Sequence, residues 1–304
     1  MNVFYLSILV MLCRFASSAE WCYQSQVTCN NTCAGPEEWA TIAATCGNRK
    51  QSPINIVTKN TSIDGRLTPV QFTGYQEMVN GVIVNNGHTV QVNLANRAHI
   101  NGANLGATYK AQQLHLHWGK NGGPGSEHTV DGEKYPMELH IVHIKENYNS
   151  VEQAIDDPSG VAVLGFFYEE SKDANKKYEV IINSLKNITH PGTNVTLGDL
   201  SLDMLILSHD KLEKYYRYQG SLTTPSCSEA VVWTIFEETI PLSKEQLSAF
   251  SNLMFSDGTA MVNTYRPVQL RYERQVYYSR SFVFCVSTAL LISSVVTSLY
   301  ALTV

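Results

Sequence analysis

Short apolar runs of strand-like character recur through the middle of this chain, at Val82 to Leu94, Gln113 to Trp118, Met137 to Ile144, Val161 to Tyr168 and Ser228 to Glu237. Gly, Asn and Pro punctuate them, as expected where tight turns join strands. Alternation is clearest in two of the runs. Between Gln113 and Trp118, an extended chain puts Gln113, His115 and His117 on one face and Leu114 and Leu116 on the other. Between Tyr135 and His143, the same period groups Glu138, His140 and Val142 apart from Leu139, Ile141 and His143. Helical candidates are few: Ser150 to Ile155, Ala174 to Ile188 and Ser243 to Asn252. The balance predicts a mainly β (α+β) chain.

The two ends read as targeting segments. Val3 to Cys13 is apolar, and Ser17-Ser18-Ala19 supplies small residues where a signal peptidase cuts, so residues 1–19 are expected to leave and expose Glu20. The usual leading Lys or Arg is missing, and Arg14 follows the apolar run. At the other end, Phe282 to Val304 carries no charge and, at about 1.5 Å per residue, is long enough to cross a bilayer. A retained transmembrane helix normally has Lys or Arg on its cytoplasmic side, and none follows this run. Residues 279–304 therefore read as a glycosylphosphatidylinositol (GPI) signal, with Ser279 and Ser281 as small residues for attachment and a spanning helix as the alternative. Both readings put residues 20–278 at the extracellular face of the plasma membrane.

The formal net charge of −5 and the lack of a basic tract give a nucleic-acid role no support. Roughly 260 mature residues lie within reach of a single domain. Four Asn-x-Ser/Thr sequons, at Asn30, Asn60, Asn187 and Asn194, suit a secreted surface. Cysteine usage agrees with an oxidising compartment. With Cys13 in the leader and Cys285 in the tail, Cys22, Cys29, Cys33, Cys46 and Cys227 remain, an odd number.

Candidate chemistry lies in the histidines. A His-x-His pair is common and by itself a weak sign of metal. If the strand carrying His140 neighbours the one carrying His115 and His117, however, three imidazoles share one face. Three neutral nitrogens leave a tetrahedral zinc one open position, as in a catalytic site; a structural site needs a fourth protein ligand, and none is apparent. His143 alternates to the opposite face and is excluded. His99, His190 and His209 sit beside loop-like sequence and read as solvated.

The surroundings of these histidines resemble the α-class carbonic anhydrases. Gln113-Leu114-His115-Leu116-His117-Trp118-Gly119, Ser126-Glu127-His128-Thr129-Val130-Asp131-Gly132 and Glu138-Leu139-His140 carry the likeness around the metal. Gln51-Ser52-Pro53-Ile54-Asn55-Ile56, Asn85-Asn86-Gly87-His88, Ala162-Val163-Leu164-Gly165, Gly220-Ser221-Leu222-Thr223-Thr224-Pro225 and Asn263-Thr264-Tyr265-Arg266-Pro267-Val268-Gln269-Leu270 extend it, in order, over residues 20–278.

The resemblance implies a single domain built on a large, twisted, mostly antiparallel sheet with short peripheral helices. It implies a zinc enzyme that interconverts carbon dioxide and bicarbonate, with Zn2+ on His115, His117 and His140. Zinc in this family is the standing example of a metal that lowers the pKa of bound water from about 15.7 to about 7. Gln113 and Glu138 then accept hydrogen bonds from ligand imidazoles. Thr223, donating to Glu127, orients the zinc hydroxide. Val142, Val161, Val163, Leu222, Val231 and Trp233 form the apolar substrate wall, and Thr224 sits near bicarbonate. His88 is the implied proton shuttle, with Asn86, Gln91 and Tyr23 holding its water chain; Gln91 departs from the commonest family residue. Periodicity alone makes His88 a core residue, in phase with Val82, Val84, Val90 and Val92, so the shuttle requires Gly87 or a bulge to turn it. Likeness to the membrane-anchored branch pairs Cys46 with Cys227 and Cys22 with Cys33, leaving Cys29 over; Cys22 with Cys29 is the alternative. Bicarbonate transporters are the partners such an enzyme would serve. A non-catalytic binding module on this scaffold typically lacks one or more zinc histidines, and here all three stand.

Overall fold

The computed structural model describes residues 21–27, 33–79, 81–94 and 97–279. The 1–19 leader, Cys29, Asn30, Ser281 and the Phe282 to Val304 run lie outside the described residues. In chain order the strands are β1 (Asn55–Ile56), β2 (Ser62–Ile63), β3 (Val70–Thr73), β4 (Val82–Asn85), β5 (Val90–Asn93), β6 (His99–Gly102), β7 (Tyr109–Trp118), β8 (Thr129–Val130), β9 (Met137–Lys145), β10 (Val161–Ser171), β11 (Asn194–Thr196), β12 (Tyr215–Gly220), β13 (Val231–Phe236), β14 (Ile240–Ser243) and β15 (Tyr277–Tyr278). The helices are one or two turns long: α1 (Trp39–Ile42), α2 (Val151–Ala154), α3 (Glu179–Leu185), α4 (Leu202–Leu205) and α5 (Lys244–Ala249).

One sheet dominates, in the order β11-β4-β5-β7-β9-β10-β13-β12-β15-β2, with β3 and β6 branching beside β7 and β14 beside β10. Neighbours run antiparallel except at β10–β13, β10–β14 and β15–β2; β1 and β8 form a small parallel pair apart. The mainly β fold with a mostly antiparallel central sheet and short outer helices is thus as expected.

The central strands are buried on both faces, and strand parity sorts their side chains into two apolar layers. The back layer holds Leu114, Leu116, Trp118, Leu139, Ile141, Leu164 and Phe166, closed by Ile181 and Leu185 of α3 and Leu247 of α5. The front layer holds Val142, Val161, Val163, Val231 and Trp233 with Tyr216 and Tyr218. Each large apolar side chain fully buried is worth roughly 1.5–3 kcal/mol. The continuous back layer can therefore stabilise a sheet whose front face accepts polar groups.

A bulge on β7 makes the two layers compatible. Ala111 pairs with His143 and Gln113 with Val142, so Gln112 is the extra residue. An inserted residue reverses the alternation beyond it. Tyr109 and Ala111 therefore face the back layer with Leu114 and Leu116, while Gln113, His115 and His117 face the front.

Three sequence expectations need correction. Val82 to Leu94 is a hairpin rather than one strand: β4 and β5 pair from Val82 with Asn93 to Asn85 with Val90. Asn85 and Asn86 bend back on the turn, accepting from the backbone N–H groups of Gly87 and of His88 and Thr89 respectively. Gly87 has φ of +91°, and a Cβ there would collide with Ser256 Oγ. Ala174 to Ile188 yields only a 3-10 turn at Lys176–Tyr178 followed by α3. Its start is diverted because Asn175 caps the turn, its side chain accepting from Lys177 N. Ser243 to Asn252 begins as expected, with Ser243 and Gln246 forming a capping box, but tightens to a 3-10 turn at Phe250–Asn252.

Two disulfides, Cys22–Cys33 and Cys46–Cys227, follow the pairing the resemblance implied rather than the Cys22–Cys29 alternative. Ser279 is buried, its N–H donating to Tyr215 O and its hydroxyl to Glu213 O, so the folded region reaches at least that residue.

His143 lies on the back face, fully buried. Its Nδ1–H donates to Ala162 O, and Nε2 accepts from the Tyr75 hydroxyl at 2.7 Å. Burial lowers its pKa to about 3. Below about pH 6.5 the unfolded chain protonates this imidazole while the native one stays neutral, so native stability falls as pH drops from about 6.5 toward 3. In His143→Gln the fall in stability over that window should be shallower than in the parent. Denaturant melts of both metal-free proteins at several pH values test this, and equal slopes would refute it.

Candidate metal centre

β7 and β9 are antiparallel neighbours, with His115 directly opposite His140 and His117 opposite Glu138. Residues directly opposed across such a pair project from the same face. The register continues outward, Gln91 of β5 lying opposite His115 and Gly165 of β10 opposite His140. At Gly165 a side chain would press on Ile235 Cδ1 at 2.6 Å and approach Glu138 Oε1 at 3.4 Å, so glycine there keeps the ground beneath Glu138 and His140 open.

The three imidazoles meet edge to edge. His117 Nε2 lies 3.1 Å from His140 Nδ1, which lies 3.2 Å from His115 Nε2. Each outward nitrogen is held by an acceptor: His115 Nδ1 donates to Gln113 Oε1 (2.9 Å), His117 Nδ1 to Thr264 O (2.6 Å) and His140 Nε2 to Glu138 Oε1 (2.7 Å). A neutral imidazole has one N–H and one lone pair, so outward donation turns all three lone pairs inward. Burial, reinforced by the neighbouring imidazoles, holds His115 well below the ordinary histidine pKa, and burial likewise lowers His117. Converging lone pairs repel one another unless a cation sits among them. Two nitrogens on a tetrahedral ion at about 2.0–2.1 Å stand about 3.3–3.4 Å apart, close to the spacing found. The donor set fits a metal ion.

Glu138, Glu127 and His128 support this centre. Glu138 Oε1 also accepts from His128 Nδ1 (2.7 Å), and Oε2 accepts from the backbone N–H groups of Glu127 and His128 (both 2.8 Å). Burial alone would raise its pKa, but His128 and His140 hold it well below the usual carboxylate range. His128, Glu138 and His140 also lie close enough together to be read as a metal trio. Both imidazoles there donate to the one carboxylate oxygen, so no set of lone pairs converges.

Glu127 is buried. Oε1 accepts from Arg266 N (2.8 Å), while Oε2 has no hydrogen-bond partner among the described residues and lies 3.4 Å from His117 Nε2. Thr223 is buried as well, but no Thr223–Glu127 hydrogen bond is present. The Thr223 loop is tied down on several sides. Leu222 N donates to Ser228 O, Cys227 N to Thr224 O, and the Cys46–Cys227 disulfide fixes the far end.

A cavity of ≈ 120 Å³ opens beside the histidines, lined by Trp21, Tyr23, Asn86, His88, Gln91, Gln113, His115, His117 and Thr224, among others. The expected shuttle group and its helpers are thus brought to one chamber. His88 escapes the core because it stands in the β4–β5 turn, where strand parity no longer applies. Its ring stacks on Trp21 at 3.8 Å between centroids and 13° between planes. Asn86 Nδ2 reaches Gln91 Oε1 at 3.4 Å, and Gln91 in turn donates to Asn93 Oδ1. Val142, Val161, Val163, Val231 and Trp233, with Leu222 against them, form one apolar cluster on the same sheet face, and the Trp233 ring lies 4.8 Å from that of His140. The apolar wall and the polar chamber flank the histidines on different sides.

Several participants escaped the sequence reading. His128 stands in a quoted motif but off any strand, so parity gave it no direction; its Nε2 lies 2.6 Å from the Tyr218 hydroxyl, which donates to Ser52 Oγ. The Thr264 carbonyl is main chain and carries no residue-type signal. Trp21, next to Cys22, offered only its ring as a clue.

Comparison with known proteins agrees with this geometry. Residues 34–280 match the family model for eukaryotic-type carbonic anhydrase. The chain is 40% identical over 264 residues to carbonic anhydrase 4 of Oryctolagus cuniculus, covering 86% of this chain and 84% of that one. It is 38% identical to carbonic anhydrase 4 of Rattus norvegicus over 283 residues, 91% of each, and 36% identical to carbonic anhydrase 12 of Homo sapiens over 275 residues, 87% and 76%. With three inward-facing imidazoles at ligand spacing and a family match over most of its length, the chain belongs to the eukaryotic-type carbonic anhydrases, metalloenzymes that hydrate carbon dioxide.

Proposed function

We propose that this enzyme is a zinc carbonic anhydrase of the outer cell surface, with His115, His117 and His140 holding Zn2+, Thr223 and Glu127 orienting the reaction, and His88 exporting the proton. The observation that carries it is the set of three lone pairs turned inward by acceptors on their far sides. Uncharged nitrogen donors in a tetrahedral arrangement with one corner left over suit catalytic zinc.

When bound, zinc supplies the acidity that yields hydroxide at neutral pH. The remaining work falls to side chains. His115, His117 and His140 add no negative charge to the centre, which keeps that acidity high. Gln113, Thr264 and Glu138 fix the tautomers. Thr223 can donate and accept at once; if its hydroxyl turns to donate to the unpartnered Oε2 of Glu127, a bond not made in this structure, its oxygen is left as an acceptor for the centre. The Val142, Val161, Val163, Leu222, Val231 and Trp233 wall receives apolar carbon dioxide, and Thr224 meets bicarbonate on the polar side. His88 takes up the released proton, since free imidazole titrates near pH 6.5, close to the acidity it must serve. Tyr23, Asn86 and Gln91 line the chamber between and order its water.

Placement outside the cell is supported by two disulfides and by exposed sequons at Asn60, Asn187 and Asn194. Among the described residues no helix is long and apolar enough to cross a membrane. The lipid anchor therefore rests on the Phe282 to Val304 run alone. Bicarbonate transporters in the same membrane are its natural partners.

Three measurements test this reading. Purified protein should carry close to one zinc and hydrate carbon dioxide in stopped flow; His117→Ala should lose both, and Glu138→Gln should bind zinc about 10–100-fold more weakly. Zinc retained at full occupancy in His117→Ala would overturn the ligand assignment. His88→Ala should lower turnover in weakly buffered solution by up to about 10²-fold with kcat/KM unchanged, and added imidazole should restore it; an unchanged rate would remove His88 from the proton path. Phosphatidylinositol-specific phospholipase should release activity from intact cells, and retention beside a control anchor that is cut would favour a spanning helix.

A further inference from the structure

The large sheet does not close on itself. Among the described residues its main path ends at β11 on one side and β2 on the other. Open edges present unpaired N–H and C=O groups that can recruit a strand from another molecule, so folded proteins guard them. The side branches β3 and β14 carry a common guard, with Pro69 just before β3 and Pro241 within β14. Neither β11 nor β2 contains proline or a charged residue. Each instead carries an N-glycosylation sequon. Asn194-Val195-Thr196 is the whole of β11, and Asn60-Thr61-Ser62 runs directly into β2.

The backbone pattern sharpens the coincidence. Thr193 O accepts from Asn85 N, and Leu197 N donates to Gly81 O. By alternation, 193, 195 and 197 face β4 while Asn194 and Thr196 turn their backbone groups to the open side. At the other edge Ser62 donates to Val276 O, just before β15, and Asp64 to Tyr278 O within it, so the backbone of Ile63 faces outward. Exposed apolar side chains gather at both places. Ile63 (58% exposed) and Tyr277 (37%) lie at the β2 edge, and Val82 (37%) lies opposite Thr196 at the β11 edge. Asn60 and Asn194 are themselves exposed.

We propose that N-linked glycans on Asn60 and Asn194 are the edge guards of this sheet, covering the outward backbone groups and the apolar side chains beside them. The proposal rests on the secretory placement argued above. Asn187, two residues beyond α3 and outside both β11 and β2, supplies a comparison site. The full-length chain is expressed in secreting animal cells as parent, as Ser62→Ala/Thr196→Ala (which spares both asparagines), as Asn60→Gln/Asn194→Gln and as Thr189→Ala. Each is extracted in mild detergent. Glycosidase mass shifts report occupancy, light scattering reports self-association at matched concentration, and stopped flow reports hydration per monomer. Both edge-deficient proteins should self-associate several-fold more than the parent with monomer activity unchanged, and the Thr189→Ala protein should match the parent. Adding Ile63→Lys and Val82→Lys to the edge-deficient protein should restore the monomer. Occupied edge sites whose loss leaves the protein monomeric would overturn the edge role while leaving secretion intact, as would an equal effect from Thr189→Ala. Absence of glycan at Asn60 and Asn194 beside an occupied Asn187 would do the same. No glycan at any site in a chain retained inside the cell would defeat the secretory placement as well.

Discussion

Three imidazole lone pairs aimed at one point repel each other, and much of this molecule is organised to hold them there. The acceptors that enforce the arrangement come from three separate segments of the chain. Gln113 and Glu138 each lie two residues from the ring they steady, on β7 and β9 respectively, and the Thr264 carbonyl arrives from a segment 147 residues beyond His117. The constellation is complete only where β7, β9 and the Thr264 segment meet. The energy comes from elsewhere. The back layer of Leu, Ile and Phe side chains and the paired backbone of β7, β9 and β10 fix the register, and the register brings His115 and His140 face to face.

The segment around Arg266 links that register to the rest of the fold. Its backbone N–H holds Glu127 Oε1, while its guanidinium donates to Gln51 Oε1, Ser52 O and Cys46 O. Ser52 in turn accepts from Tyr218 and from Ser221 N, the residue before Leu222 and Thr223. The Cys46–Cys227 disulfide joins the same two regions covalently. Early chain, late chain and the threonine loop are thus locked to one another behind the metal centre. A displacement of the Arg266 segment would reach Glu127 through its backbone N–H and His117 through the Thr264 carbonyl.

What was legible in the sequence follows the reach of its periodicities. Alternation along β7 and β9 put His115, His117, His140 and Val142 on one face and His143 on the other, because parity is a local property of extended chain. It failed at His88 for the same reason: parity does not survive a turn, and the Val82 to Leu94 run holds a turn at Gly87. The bulge at Gln112 was equally silent, since no residue type announces an extra position. His128 lies between strands, and its role as a bridge from Glu138 to Tyr218 exists only once three segments have met. Helix lengths were overstated where a local cap, as at Asn175, redirects the chain after one turn.

The division of the front face into a dry and a wet side follows from the position of the histidines in the sheet. Toward β10 and β13 the strands are central and covered on both faces, so valines and Trp233 fill them, and water has no partner there. Toward β5 the sheet thins to a hairpin whose turn is solvated, and Asn86, His88 and Gln91 line that side with groups that can hold water. A reaction that joins an apolar gas to hydroxide and sends a proton to solvent needs both environments within a few ångströms. Histidines one strand further into the sheet would be cut off from the polar chamber. One strand further out, they would leave the apolar face.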